Sequence, residues 1–432
     1  MSPLRIAEAG SRAGRRAVDR LVRRGDAVLD GKTLRRAEKI VREVRKRGDR
    51  ALLDFARRLD GAEAASVEEL ALAPTPEDLD GAALPAGFAE ALERAIAAVE
   101  RYHAPQARTG YRMEEDGVEL EEKIEPLRRV GLYVPGGRAS YPSTVVMTVV
   151  PARVAGVEEI VVATPPGSYR SNPSLRYALA RLGVTEVWGM GGAHAVAALA
   201  YGTETVRRVD KIAGPGNAWV TAAKKLVVGD VAIDGLAGPS EVVIVADAAA
   251  DPGDVAADLL AQAEHDPQAA AVLITPDVRL AKQVAAEVDR QLADLATAET
   301  ARASLAGFGA ALVVADLEEA LALVARIAPE HLQLVGPEAE GLAPRVRSVG
   351  AVFIGAATPE VFGDYIAGPS HVLPTCGSAR FASSLGVDDF LRRSHTLRFT
   401  PAAASRRAAA AATLADAEGL PAHAAAARRR LG

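Results

Sequence analysis

The chain is expected to be an α/β protein: two similar parallel-sheet units with helical extensions at the N- and C-termini. Three observations predict this. From Arg129 onward, short apolar runs alternate with segments of helical period, the pattern of parallel strands joined by crossover helices. Turns rich in glycine and proline punctuate those runs, as where Val130-Gly131-Leu132-Tyr133-Val134 meets Pro135-Gly136-Gly137. The rhythm then restarts near Gly238-Pro239-Ser240, dividing the region into two similar units, as an ancestral duplication would.

Taken in order, residues 1–105 read as helices, with Leu29–Leu59 charged and periodic, a boundary near Asp49, and a further run at Gly87–His103. Gly110–Glu125 is polar and alternating, as in a hairpin or connector. In the first α/β unit to follow, strands are expected at Val130–Val134, Glu159–Ala163, Glu186–Gly189 and Val209–Ile212. Its helices are expected at Ser174–Leu182, Ala193–Tyr201 and Ala218–Val228. Beyond Ser240 the strands are Glu241–Ala246, Ala271–Thr275, Leu312–Ala315, Leu332–Val335 and Ala351–Ile354. The helices between them are Asp254–Glu264, Arg279–Leu295 and Leu317–Ile327. Pro401–Gly432 is rich in Ala and Arg and reads as a helical tail that docks on its own core or on a partner subunit.

Composition narrows the function. A chain of 432 residues, 49% apolar and 25% charged, can bury the core of two domains. A net charge of −5 gives no reason to expect nucleic acid or an anionic membrane as partner. The single cysteine, Cys376, excludes an internal disulfide and fits a reducing compartment. No apolar run approaches the length of a membrane span, and Glu8 and Asp19 interrupt the arginines that a transit peptide would need. The expected protein is soluble and cytoplasmic.

Several constellations can carry chemistry. Glu330 and His331 are adjacent after Pro329, which ends the helical run Asp316–Ile327, and both side chain types move protons near neutral pH. Gln262 and His265 stand three apart on one helix face, a spacing that suits two metal ligands and equally a solvated helix end. Asp364 and His371 lie in the glycine-rich stretch Gly363-Asp364-Tyr365-Ile366-Ala367-Gly368-Pro369-Ser370-His371, and Glu418 and His423 flank a Gly/Pro break. Three Ala-Gly-Pro turns, at residues 213–215, 237–239 and 367–369, suggest loops gathered at one edge of the sheets, where ligands of open α/β sheets bind. Gly189-Met190-Gly191-Gly192-Ala193-His194 resembles half of a dinucleotide-binding turn, its helix amides open to phosphate, but it lacks the third glycine of an ordinary Rossmann motif.

Together these blocks resemble the histidinol dehydrogenase family over nearly the whole stretch from about Arg129 to His423. The resemblance is carried by Leu132-Tyr133-Val134-Pro135-Gly136-Gly137, Gly214-Pro215-Gly216-Asn217, Ala237-Gly238-Pro239-Ser240-Glu241-Val242 and Asp258-Leu259-Leu260-Ala261-Gln262-Ala263-Glu264-His265-Asp266. Ala328-Pro329-Glu330-His331-Leu332, Gly363-Asp364-Tyr365, His371-Val372-Leu373-Pro374-Thr375 and Glu418-Gly419-Leu420 with His423 complete it, in the family's order.

The resemblance implies oxidation of L-histidinol to L-histidine through bound L-histidinaldehyde, with two NAD⁺ reduced, in histidine biosynthesis. It implies two incomplete Rossmann-like units: residues 28–130 with 241–378, carrying the metal and the acid-base pair, and residues 131–240, carrying NAD. Residues 1–27 form an N-terminal helical extension and 379–432 the C-terminal helical tail. Gln262, His265, Asp364 and His423 fall on the family's ligands for one Zn²⁺ per subunit, a reasonable donor set for that ion. Glu330 and His331 fall on its acid-base pair, with His331 taking the alcohol proton and Glu330 activating water for the second oxidation. Ser240, His371 and Glu418 match substrate-contacting positions, to which Gln262, His265, His331, Asp364 and His423 also contribute. Tyr133, His194 and Asn217 match NAD-contacting positions, although the family has glutamine where His194 stands. The family is a homodimer whose C-terminal segment helps complete the other subunit's site, which gives the tail its purpose. Cys376 matches no role in it. Two rivals remain: a zinc-dependent hydrolase that needs no nucleotide, and a metal- or ligand-binding relative without turnover.

Overall fold

The computed structural model describes residues 2–25, 29–136 and 141–431, so Gly137 of the expected turn lies outside the described residues. Two parallel sheets organise the chain, as expected. The first has six strands, in the order Ile6–Glu8, Ala310–Val313, Ala270–Thr275, Glu241–Ala246, His331–Val335 and Ala351–Ile354. Glu241–Ala246 and Ala270–Thr275 are buried along their whole length, the mark of central strands covered on both faces. The second sheet has five, ordered Glu186–Gly189, Glu159–Thr164, Arg129–Tyr133, Lys211–Ala213 and Ala232–Ile233.

Each sheet reverses its winding once. In the second sheet the reversal lies between Arg129–Tyr133 and Lys211–Ala213, which pair in parallel through Val130, Gly131 and Leu132. In the first it lies between Glu241–Ala246 and His331–Val335. The connection Asp234–Ser240 leaves the carboxyl end of the second sheet and enters the amino end of Glu241–Ala246, so those two edges meet. Hydrogen bonds tie the junction: Gly238 N donates to Thr375 Oγ1 at 2.6 Å, and Ser370 Oγ donates to the Met147 carbonyl at 3.0 Å.

Three segments depart from the expected partition. Ile6–Glu8, read as part of a helical extension, is an edge strand paired with Ala311–Val313; its order comes from a strand some 300 residues away, which local periodicity does not reveal. Helix Gly31–Leu59 was grouped with residues 241–378, but its buried face (Ala37, Val41, Val44, Leu52) packs in one cluster with Ala195–Ala200 on the second sheet. Hydrophobic period defines a buried face without naming its partner. Gly48, at φ 51° and ψ −132°, breaks this helix beside the boundary expected near Asp49. Leu391–Phe399 is a strand inside the tail read as helical, and it joins the hairpin Arg112–Glu115 and Val118–Pro126 as an antiparallel three-stranded sheet. The hairpin turns at Asp116-Gly117, both with positive φ, as a two-residue turn requires. Helices Pro401–Ala417 and Pro421–Arg428 follow, joined through Ala412, Ala415 and Ala424. Among the described residues, no helix is long and apolar enough to cross a membrane.

Candidate active site

The expected acid-base pair, Glu330 and His331, is positioned by the way one helix stops. Helix Leu317–Ile327 ends at Ala328, which is fully buried in the left-handed conformation at φ 52°, and Pro329 prevents continuation. Glu330 therefore precedes the strand and His331 begins it, with Glu330 Oε2 3.7 Å from His331 Nδ1. Both are buried. They sit at the amino-terminal edge of the first sheet, whereas open α/β sheets normally use the carboxyl edge. The edge contributed by the second sheet is the carboxyl one, so unlike edges meet at the Asp234–Ser240 junction.

The main chain of one residue, Glu241, orients both residues through the two peptide groups that flank it. Glu241 N–H donates to Glu330 Oε2 at 2.9 Å, while the Glu241 carbonyl lies 3.1 Å from His331 Nδ1. A carbonyl only accepts, so Nδ1 carries the proton and Nε2 is left with its lone pair. Burial depresses the His331 pKa to about 4, against a weaker opposing pull from Asp364, and the ring is neutral at physiological pH. Glu330 is shifted the other way, well above the usual carboxylate range, by burial and then by the nearby Glu241 charge.

Glu360 is the residue that sequence reasoning missed. Its Oε1 lies 3.2 Å from His331 Nδ1, its Oε2 is buried without a hydrogen-bond partner, and burial raises its pKa well above normal. It opens helix Glu360–Tyr365, four residues before Asp364 on the same face, and that spacing was the available signal. His331, Glu360 and Asp364 offer ligand atoms all within 4.8 Å of one another.

Around this cluster stand most of the expected ligands. Gln262, in the last turn of helix Pro252–Ala263, is 1% exposed, and neither its Oε1 nor its Nε2 has a partner. An amide left so costs stability unless something absent from the chain satisfies it. His265 Nδ1 donates to the Ala261 carbonyl at 2.9 Å, which directs Nε2 to within 4.0 Å of Asp364 Oδ2. His371 Nδ1 donates to the Asp364 carbonyl at 2.9 Å, its Nε2 is 3.3 Å from Thr144 Oγ1, and burial lowers its pKa. Imidazoles oriented by a carbonyl at Nδ1 are arranged as metal ligands commonly are. Ser240 precedes Glu241 at the same edge. Glu418 and His423 are not brought here: both are exposed on the tail, among helices that pack on Leu391–Phe399 and on each other.

The second sheet holds the other expected residues, with its phosphate-like turn already occupied. Asp60 Oδ2 accepts from Gly191 N–H at 2.8 Å and pairs with His194 Nε2 at 2.8 Å, while Gly192 N–H donates to the Tyr133 hydroxyl at 3.0 Å. The amides expected to be open to phosphate are therefore capped from within. The reason is the carboxylate at the end of helix Gly31–Leu59, whose docking on this sheet the sequence did not reveal. His194 is 1% exposed and stacks on Phe55, with its Nδ1 buried and unpartnered. Asn217 is exposed and caps helix Ala218–Val227 by accepting from Trp219 N and Val220 N. Replacing Asp60 by Asn removes the charge shared by Gly191 and His194. It is expected to lower the unfolding free energy by about 1–3 kcal/mol in a urea melt; a melt coincident with the parent's would mean the carboxylate contributes nothing there.

Comparison with known proteins agrees over the whole chain. Residues 24–431 match the family model described as histidinol dehydrogenase. Histidinol dehydrogenase from a Synechococcus species is 49% identical over 393 residues, 90% of each chain. That of Geobacter sulfurreducens is 48% identical, over 89% of this chain and 90% of its own. Among solved structures, histidinol dehydrogenase from Elizabethkingia anophelis superposes with a TM-score of 0.87 at 31% identity, covering 100% of this chain and 98% of that one.

Proposed function

The chain belongs to the histidinol dehydrogenase family, and on that premise we propose that it oxidises L-histidinol to L-histidine through L-histidinaldehyde, with two NAD⁺ reduced per turnover. The observation that carries this reading is the buried pair Glu330 and His331, with His331 grouped with Glu360 and Asp364 as metal-ligand types, and a buried Gln262 amide without a partner among the described residues.

The residues fit a zinc ion. Gln262 offers an unpartnered amide oxygen, His265 a free Nε2 and Asp364 a carboxylate facing it, an N/O donor set that suits Zn²⁺. When bound, zinc supplies a positive charge that polarises the substrate alcohol, and NAD⁺ supplies the acceptor for both hydrides. In the first oxidation His331 Nε2 takes the hydroxyl proton, because Nδ1 is committed to the Glu241 carbonyl. In the second, a water adds to the aldehyde carbon and gives its proton to Glu330. Burial makes that carboxylate a stronger base than an exposed one. Ser240 and His371 would contact the substrate, and Glu418 would meet its ammonium group.

Glu418 and His423, exposed on the tail, would reach such a site from another chain, in a homodimer with exchanged tails. Uncovered apolar residues beside the site support this: Val352 and Ile354 on the edge strand are 37% and 46% exposed, Phe362 and Tyr365 49% and 53%. NAD⁺ is assigned to the carboxyl edge of the second sheet at its winding reversal, near Tyr133 and Asn217. His194 contributes there by holding Asp60 and the helix end rather than by reaching out.

The direct test incubates the protein with limiting L-histidinol and excess NAD⁺, run to completion with and without a zinc chelator. Two NADH per histidinol are expected, lost on chelation and restored by zinc. No NADH from the folded, zinc-loaded protein would reject this reading.

A further inference from the structure

Residues on the N-terminal side of the sheets, far from Glu330 in sequence, converge on the peptide group that orients it. Arg24 follows the helix Arg12–Val22 and is 3% exposed. Its Nη1 donates to Glu241 Oε2 at 2.9 Å, an ion pair with both side chains 2% exposed. Its Nη2 meets three carbonyls: Gln268 at 2.7 Å, Pro239 at 3.1 Å and Ser240 at 3.3 Å. The other Glu241 oxygen accepts from Cys376 N–H at 2.5 Å, where Cys376 is held at φ 53°. Glu241 is thus anchored through its side chain on one side, and through its main chain it holds Glu330 and the His331 ring on the other.

We propose that Arg24 is a positioning residue for the reaction: by clamping Glu241 and the Pro239–Ser240 carbonyls it fixes the main chain of Glu241, whose N–H and carbonyl aim Glu330 and His331. The chemistry of the clamp favours arginine. A planar guanidinium can serve a carboxylate and several carbonyls at once, whereas an ammonium reaching the same carboxylate leaves some of those carbonyls unmet. A bare ion pair for stability would be a poor use of buried charge, since apolar pairs of like volume often do as well. The inference rests on the assignment of Glu330 and His331 as the acid-base pair.

The test uses full-length, zinc-loaded protein carrying Arg24→Met with Glu241→Met, which removes both charges together and leaves none unpaired. Unfolding midpoint and zinc affinity are expected to stay close to the parent's, and KM for L-histidinol within about threefold, while kcat falls about 100-fold, the cost of a small misplacement of reacting groups. A folded, zinc-loaded double variant with parental kcat overturns the proposal. Should that variant fail to fold, Arg24→Lys serves: kcat is expected to fall about tenfold with KM unchanged, and parental kcat would overturn it equally. Imidazole ¹⁵N shifts of His331, assigned by difference with His331→Gln, separate this claim from the reaction itself. Nδ1-protonated imidazole in the parent and mixed tautomers in the variants support positioning even if the parent does not oxidise histidinol. Unchanged shifts reject it even if the parent does.

Discussion

Glu330→Gln is expected to abolish the aldehyde-to-acid oxidation while sparing the alcohol-aldehyde interconversion. The amide keeps the shape of the side chain, and its oxygen can still accept from Glu241 N–H, so the variant should fold and bind zinc. It has no base to offer water. NADH formation from L-histidinaldehyde should fall by about 10²–10⁴, the range of a single general base. Reduction of L-histidinaldehyde by NADH needs no water and should persist, because the proton for the alkoxide comes from His331. His331→Gln should lose both directions, and equal loss of both in Glu330→Gln would remove the division of labour. Stability should move the other way. Burial raises the Glu330 pKa above its unfolded value, so the folded state holds that proton more tightly, and stability is lost as pH rises through the folded pKa. The variant is therefore expected to melt higher than the parent at pH 8, with the gain vanishing below about pH 4.5, where both states are protonated.

Deleting residues 401–432 is expected to leave both parallel sheets intact and to remove tight zinc binding. Helices Pro401–Ala417 and Pro421–Arg428 contribute no strand to either sheet, and their shared core is three alanines. What leaves with them is Glu418 and His423. Losing a ligand should weaken zinc by more than about 100-fold, beyond the cost of losing an outer partner. Retained stoichiometric zinc would end the tail assignment. A mixture decides whether the tail acts across subunits. In a heterodimer of tail-deleted chain and full-length Glu330→Gln chain, one site has both a normal Glu330 and a donated tail, so oxidation of L-histidinaldehyde should appear from two parents that each lack it. Continued inactivity in a proven heterodimer would mean that each tail serves its own chain.

Much of this architecture was legible because it is local. Strand and helix periods in residues 129–354 give the alternation that both sheets display, and the helix stop at Ala328-Pro329 could be read directly. Less legible was anything set by a distant partner. Ile6–Glu8 has too few residues to show a period and takes its order from Ala311–Val313. The helix Gly31–Leu59 announces a buried face but not which sheet it covers. Asp60 looks like an ordinary helix end until that docking brings it to Gly191 and His194, and Glu360 passed unnoticed because only Asp364 belonged to a recognised motif. Nor could the sequence say which edge would carry the pair, which lies at the amino edge of its sheet.

The pairing of Ile6–Glu8 with Ala311–Val313 has a consequence for synthesis. All five strands of the second sheet fall between residues 129 and 233, so it can close on the ribosome while the rest is being made. The first sheet cannot. Its edge strand emerges about 300 residues before its pairing partner, with the whole second unit lying between them. The amino terminus must wait, unpaired, for most of the chain, and long-range parallel pairing of this kind is intrinsically slow. The candidate active site, framed by that late sheet, is expected to take shape after the second sheet has closed.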